Sequence, residues 1–293
     1  MTRRGWLLFV AMGVIWGLPY LLIKVAVREI SAPMLVEMRT GGAALLLVPL
    51  AIARGQLRPV LSRWKVLVAF SLAEVTVPWL MLFDAERRLS SSLSGLLVAA
   101  VPLVGVVLAR LTGTADRLSS RQLAGIFVGL AGVAALVGLD VGSSDLLAAA
   151  SMGVVAIGYA TGPWILSRYL SDLPGLGVVA VALTICAVIV SPLAAASPPT
   201  VPLDGSVIAS VVGLTLVCTA LAFVLFFALI GEVGAVRSTV ITYLNPAVAV
   251  ILGVAVLGEH FGPGTAAGFV LIIAGCALSA GKVREEEQAV QAA

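Results

Sequence analysis

The sequence predicts an all-α membrane protein in which ten transmembrane helices form two inverted five-helix repeats. Three observations carry that expectation: a composition too apolar for water, ten apolar runs of bilayer length, and an internal similarity at a spacing of 144 residues. Of 293 residues, 60% are hydrophobic and only 11% are charged, with a mean hydropathy of +1.13. A soluble domain carries roughly 25% charged residues, so less than half the usual charge is present. Disorder, coiled coils and nucleic-acid binding all need charge that is missing here. The net charge of +3 says little about partners, because 18 Lys and Arg over this length is sparse.

A helix crossing the hydrocarbon core needs roughly 20 apolar residues at about 1.5 Å rise each. Runs of that kind cover 6–27, 34–53, 64–83, 92–110, 122–139, 146–166, 175–195, 207–229, 237–257 and 264–281. The first follows Arg3 and Arg4 as a signal peptide would. Its apolar run is too long for a signal core, so it reads as a retained anchor. Connections are short and leave no room for a soluble domain. Lys282–Ala293, with Glu285, Glu286 and Glu287, reads as a free tail.

Charge gives the expected orientation. With the N-terminus inside, ten spans put thirteen Lys and Arg on the inner side and three, Arg28, Arg87 and Arg88, on the outer. Lys24 and Arg39 fall within spans. Cytoplasmic loops are enriched in Lys and Arg. A multi-pass protein of the inner membrane with both termini in the cytoplasm is therefore expected.

The repeat follows from superposing the chain on itself. A shift of 144 puts Pro19-Tyr20-Leu21-Leu22 on Pro163-Trp164-Ile165-Leu166, Lys24 on Arg168, Ser94 on Ser238 and Pro102 on Pro246. After a one-residue slip, Asp116 meets Glu259, Gly125 meets Gly268 and Gly132 meets Gly275. Val and Leu coincidences mean little in so apolar a chain, but an ordered series of Pro, Ser, acidic and Gly matches means more. The expected units are residues 1–143 and 144–293. Each holds five spans, an odd number, so the second must sit upside down relative to the first. Inverted repeats recur in secondary transporters.

At this point a family resemblance emerges. Trp16-Gly17 precedes Lys24 in the first span, and Arg39 lies in the second. Pro102 to Gly125 closes the first half, and Pro246-Ala247-Val248 through Leu257-Gly258-Glu259 to Gly268 closes the second. On these pieces the chain resembles the EamA-like ten-helix members of the drug/metabolite transporter superfamily, along its whole length. The resemblance implies a transporter fold and favours export. The family moves very different solutes, so it implies no substrate. Two departures stand out: Thr112-Gly113-Thr114-Ala115-Asp116 replaces a Leu-Gly-Glu-like turn, and Glu74 stands where a small residue would be typical.

Candidate functional residues are few. Trp16 and Tyr20 are four apart and so share a helix face, with Lys24 four further on. Trp and Tyr near span ends usually belong to the interfacial belt, and Trp6 and Trp64 suit that role. Trp16 and Tyr159 lie near mid-span, where a belt does not explain them. Trp79, Trp164 and Tyr243 join them as candidate lining of a substrate cavity, as does Asn245, which shares a face with Ser238 and Thr242. Packing, or a hydrogen bond to a neighbouring helix, is the plainer reading of each. Glu74 lies about ten residues into the third span, roughly 15 Å deep and near the bilayer midplane. An acid at that depth should face the bundle interior, as a proton-coupling group or as an ordinary buried carboxyl. Lys24, Glu37 and Arg39 lie towards the outer ends of the first two spans and are expected to form an outer ion-pair cluster or gate. Pro19, Pro102, Pro163 and Pro246 are matched pairs expected to serve as hinges.

Small residues complete the picture. Gly125, Gly129 and Gly132 line one side of the fifth span, and Gly264, Gly268 and Gly275 mark the tenth. They suit close helix packing inside the chain, or a homodimer contact between two copies. Cys186, Cys218 and Cys276 all fall in spans, which argues against disulfides and a Cys-based metal site. No phosphate-binding loop and no second histidine beside His260 occur, so neither cofactor nor metal is expected. The expected partners are a small-molecule substrate and the lipid bilayer, with no nucleic acid. The reading is a secondary transporter of the inner membrane, exporting a small metabolite, amino acid or drug-like compound by alternating access. The alternatives are an intramembrane enzyme or a non-transporting scaffold. An enzyme would need a base beside its nucleophile, and no Ser-Lys pair at a shared depth is evident.

Overall fold

A computed structural model describes residues 2–113, 120–140, 145–234, 238, 241–242 and 244–280. Regular structure among the described residues is helical, with no strand. Eight helices are long and apolar enough to cross a membrane: α1 (Arg3–Ala26), α2 (Ala32–Ala53), α3 (Trp64–Ala85), α4 (Ser91–Leu111), α5 (Ser120–Asp140), α6 (Leu146–Tyr169), α7 (Gly175–Ala195) and α8 (Gly205–Val233). Two apolar helices are shorter, α9 (Leu244–Leu257) and α10 (Pro263–Ala280). The ninth expected span began at 237; α9 is described from Leu244, and residues 239–240 and 243 before it lie outside the described residues. Pro246 lacks an N–H and therefore fits the first turn, where none is needed.

Helix starts are written in the sequence as caps. The Thr2 hydroxyl accepts from Gly5 N at 3.0 Å, Ser31 from Met34 N at 3.3 Å, and Ser90 from Leu93 N at 3.1 Å. Each satisfies one of the free N–H groups of a first turn. Gly258 ends α9 at φ +66, a conformation that L side chains avoid. That turn lets Glu259 N reach back to Gly253 O at 3.0 Å.

Three helices depart from regular α geometry. α3 carries a π segment at Leu72–Thr76, and α8 a longer one at Gly213–Leu221. The 144-residue shift carries 72–76 onto 216–220, inside the second. α4 breaks at Ala99–Ala100, just before Pro102. By contrast α1 and α6 run unbroken through Pro19 and Pro163. Pro102 thus adjoins an interruption and Pro246 lies in the first described turn of α9, whereas Pro19 and Pro163 are absorbed, as a lone Pro can be when neighbouring helices hold the chain.

Helix pairing is symmetric under exchange of the two halves. α5 packs on α10 and α2 on α7; α1 meets α8 and α9, while α6 meets α3 and α4. The α5–α10 contact is the most intimate. A Cβ on Gly132 would lie 2.8 Å from Ile272 N, and one on Gly268 would lie 3.0 Å from Gly132 O. The glycine stripes therefore face one another inside the chain. The main core runs through α1, α2, α3, α4 and α7, and includes Leu35, Leu47, Phe83, Leu96 and Leu183. Two smaller clusters surround Met12 with Ile241, and Leu67 with Phe70.

Contacts between loops join ends that the charge count assigns to one side. Arg63 pairs with Asp172 at 2.7 Å, and Thr2 bonds Glu232, all on the inner side of that count. On the other side, Asp204 N donates to Glu29 at 2.8 Å and Ser31 meets Ser197 Oγ at 3.0 Å. The Arg63 hydrogen bond holds the Asp172 carboxyl below its ordinary range.

Candidate solute site

Arg39 is the most unusual side chain in the interior. It lies in α2, is only 5% exposed, and its guanidinium stacks on Trp79 with Cζ 3.8 Å from the ring centroid. Phe83 stands 5.8 Å away on the same helix as Trp79, the two rings stacked at 6.2 Å. Arg39 Nε donates to Thr219 Oγ1 at 2.8 Å, and Thr219 in turn donates to Leu214 O at 2.8 Å. That second bond spans five residues, a spacing set by the π segment of α8. Among the described residues, Nη1 and Nη2 have no hydrogen-bond partner and Arg39 forms no ion pair. Glu86 is the carboxyl in electrostatic reach of it, beyond pairing distance.

Around this guanidinium gather three of the eight expected cavity residues, Trp79, Tyr20 and Tyr159, and a fourth, Glu74, adjoins Tyr159. Trp79 and Tyr20 are buried at 6% and 7% exposure. Tyr159 of α6 lies in electrostatic reach of Glu74, Arg39 and Glu86, and Tyr20 in reach of Tyr159, Glu86 and Arg39. Glu74 projects from the π segment of α3 against Gly162 of α6, where no side chain competes for space. Its Oε2 is buried without a partner. Gly162 is thus a positioning residue for the acid.

The other expected residues lie elsewhere. Trp16 packs on Phe226 and Phe223 of α8 at centroid distances of 4.7 and 6.0 Å, in the Met12 cluster. Asn245, with its amide nitrogen turned to the facing carbonyls, donates to Ile241 O at 3.0 Å and Gly13 O at 3.2 Å, tying α9 to α1. Trp164 belongs to the Leu67 cluster, edge-on to Tyr169 at 5.8 Å. Tyr243 lies outside the described residues.

The expected ion-pair cluster of Lys24, Glu37 and Arg39 does not form as one unit. Lys24 Nζ donates to the carbonyls of Glu86 and Leu89 at 2.7 and 2.6 Å, closing the end of α3. Glu37 Oε2 is buried without a partner. One helix presents Glu37 and Arg39 two residues apart, hence on different faces, which prevents their pairing.

Sequence reasoning missed Glu86, Thr219 and the capping role of Glu259. Glu86 is fully buried and neither carboxyl oxygen has a partner. It sits among Asp84, Arg87 and Arg88, so it reads as loop. Glu259 accepts from Ser91 N at 2.7 Å, Ser92 N at 2.9 Å and Ser92 Oγ at 2.6 Å, capping α4 from the other half of the chain. Burial works to raise the Glu259 carboxyl, but these hydrogen bonds outweigh it and hold the group below its ordinary value. Among the described residues, no three His, Cys, Asp or Glu side chains come together as a metal would require.

Comparison with known proteins agrees with this architecture. The EamA-like transporter family matches the chain twice, over residues 3–138 and 146–281. An Escherichia coli K12 protein named as an uncharacterized inner membrane transporter, YedA, is 29% identical over 262 residues, covering 85% of this chain and 81% of its own. Its counterparts in strains O6:H1 and O157:H7 match to the same extent. A solved crystal structure superposes with a TM-score of 0.68 at 21% identity, covering 95% of this chain and 98% of its own, which speaks for the fold.

Proposed function

Because the chain belongs to the EamA-like transporter family, we propose that it works as a secondary transporter of the inner membrane, exporting a small metabolite, amino acid or drug-like compound by alternating access. In this reading the helices are ten spans in two inverted repeats, both termini are cytoplasmic, and one half rocks against the other. The site is the space bounded by Arg39, Tyr20, Glu74, Trp79 and Tyr159. One observation carries the reading. Arg39 belongs to the first half and its hydrogen-bond partner Thr219 to the second, so a buried cation spans the boundary that must move. Intramembrane ionisable groups are expensive and mark solute or ion paths. The symmetric helix pairing supports the rocking of two like units, and the relative's printed name supports transport in the inner membrane.

Counterflow tests the proposal. Purified protein in liposomes preloaded with unlabelled amino acids, sugars or drugs should accumulate the labelled solute of one class. Protein-free liposomes should not. Failure with every class would overturn the transport reading.

A further inference from the structure

Building on the solute site proposed above, we infer that Arg39 recognises a carboxylate on the transported compound, through a two-point contact at Nη1 and Nη2. The argument begins with what Arg39 lacks. A guanidinium offers five N–H donors in one plane, and only Nε is used, on Thr219. Its flat face is taken by Trp79 at 3.8 Å. Stacking occupies the face but leaves the N–H bonds, which lie in the guanidinium plane, pointing past the ring. Nη1 and Nη2 therefore present the parallel pair of donors that fits the two oxygens of a carboxylate.

A buried charge without a counter-ion is costly, and several kcal/mol separate a paired from an unpaired one. Among the described residues the protein supplies a stacking ring and one hydroxyl, but no carboxyl within pairing distance. Thr219 and Trp79 come from different halves and together fix the guanidinium's orientation. Such a group is preorganised for an anion that arrives from outside the chain.

The surroundings select among anions. Glu74 and Glu86 both stand in the same buried cluster with unpartnered oxygens. A dianion such as a phosphate monoester carries more charge than one guanidinium can neutralise. A monoanionic carboxylate balances Arg39 alone. Tyr20 and Tyr159, in electrostatic reach of Arg39, add hydroxyl donors beside it.

Radiolabelled phenylacetate binding to the purified full-length protein, with phenylacetamide and benzylphosphonate as competitors, tests this. Phenylacetate should bind, and phenylacetamide should compete roughly tenfold or more weakly, the effect of losing one or two charge-assisted hydrogen bonds. Arg39→Gln should abolish the preference for the acid. Arg39→Lys keeps the charge but not the fork, and Thr219→Val frees the guanidinium from its anchor. Both should weaken phenylacetate binding in part while eluting as monodisperse protein, so a misfolded Arg39→Gln would not leave the question open. Equal binding of acid and amide would overturn the inference. So would an acid preference that survives Arg39→Gln, or stronger competition by benzylphosphonate. A protein that performs counterflow with neutral solutes yet ignores phenylacetate leaves transport standing and removes the carboxylate site. One that discriminates through Arg39 but performs no counterflow keeps the site and removes transport.

Discussion

Gly132→Ala probes the backbone contact between α5 and α10. The new Cβ would lie 2.8 Å from Ile272 N, 2.9 Å from Gly268 O and 2.9 Å from Ile272 Cγ1. Two of those atoms are backbone on α10 and cannot rotate away. Ordinary contact begins at 3.4 Å, so α5 and α10 must separate by roughly 0.5–1 Å. A gap of that size forfeits a quarter to a half of each dispersion contact along the seam. Overpacking of this kind typically costs about 1–3 kcal/mol. At roughly 2–4 °C per kcal/mol for a chain of this order, the apparent melting temperature in detergent should fall by about 2–12 °C. Intrinsic tryptophan fluorescence during heating reads it. Gly153→Ala is the control, because nothing lies within 4 Å of its Cβ. It gains about 0.5–1 kcal/mol of helix propensity and should not melt earlier. Equal melting of the two variants would refute the idea that α5–α10 packing depends on backbone contact.

Other perturbations separate the roles assigned above. Glu74→Gln keeps shape but cannot cycle a proton; it should still exchange solute while losing accumulation driven by a pH gradient, and undiminished accumulation would return Glu74 to packing. Tyr159→Ala should impair counterflow by roughly tenfold with normal expression, whereas Trp16→Ala, deprived of Phe223 and Phe226, should lower the melting temperature by several degrees. Glu259 is held below the ordinary carboxyl value of 4.5, so its stabilising bonds are present above that pH and lost as pH falls through the lower folded-state value. Glu259→Gln should therefore melt below wild type at neutral pH, and the difference should close in acid; a constant difference would contradict the cap. Reporter fusions after Gly142 and Gly205 should report the outer side and a fusion at Ala293 the inner side.

How much of this was legible in the sequence depends on the kind of interaction. Burial in lipid is a property of composition, so the apolar runs locate α1 to α8 within a few residues. The repeat was legible through Pro, Gly and acidic matches, residues whose backbone or charge demands are local. Partner choice was not. Lys24 and Arg39 read as members of one cluster because both are cations near a shared outer loop, yet Lys24 turns to the carbonyls ending α3 and Arg39 to a ring and a hydroxyl. Tertiary contact decided each case. Asn245 read as a solute contact because it is polar in a span, but two carbonyls already take its donors. Mid-span aromatics were half informative: Tyr159 joins the Arg39 group, while Trp16 packs on phenylalanines.

The π segments were the least legible feature and bear most directly on the site. Leu72–Thr76 and Gly213–Leu221 carry no common residue pattern beyond apolarity, and hydrogen-bond register within a helix leaves no periodic signature in so uniform a sequence. Yet each delivers a polar group into the interior. The first carries Glu74 to Gly162, with Trp79 a few residues further along α3; the second carries Thr219 to Arg39. A π turn displaces side chains by a residue relative to an α-helix, so a polar group can turn inward from a helix whose apolar pattern would direct it elsewhere. The segment of α8 packs on α2, which carries Arg39, and the segment of α3 packs on α6. Local register, rather than apolar periodicity, therefore decides where Glu74 and Thr219 turn inward.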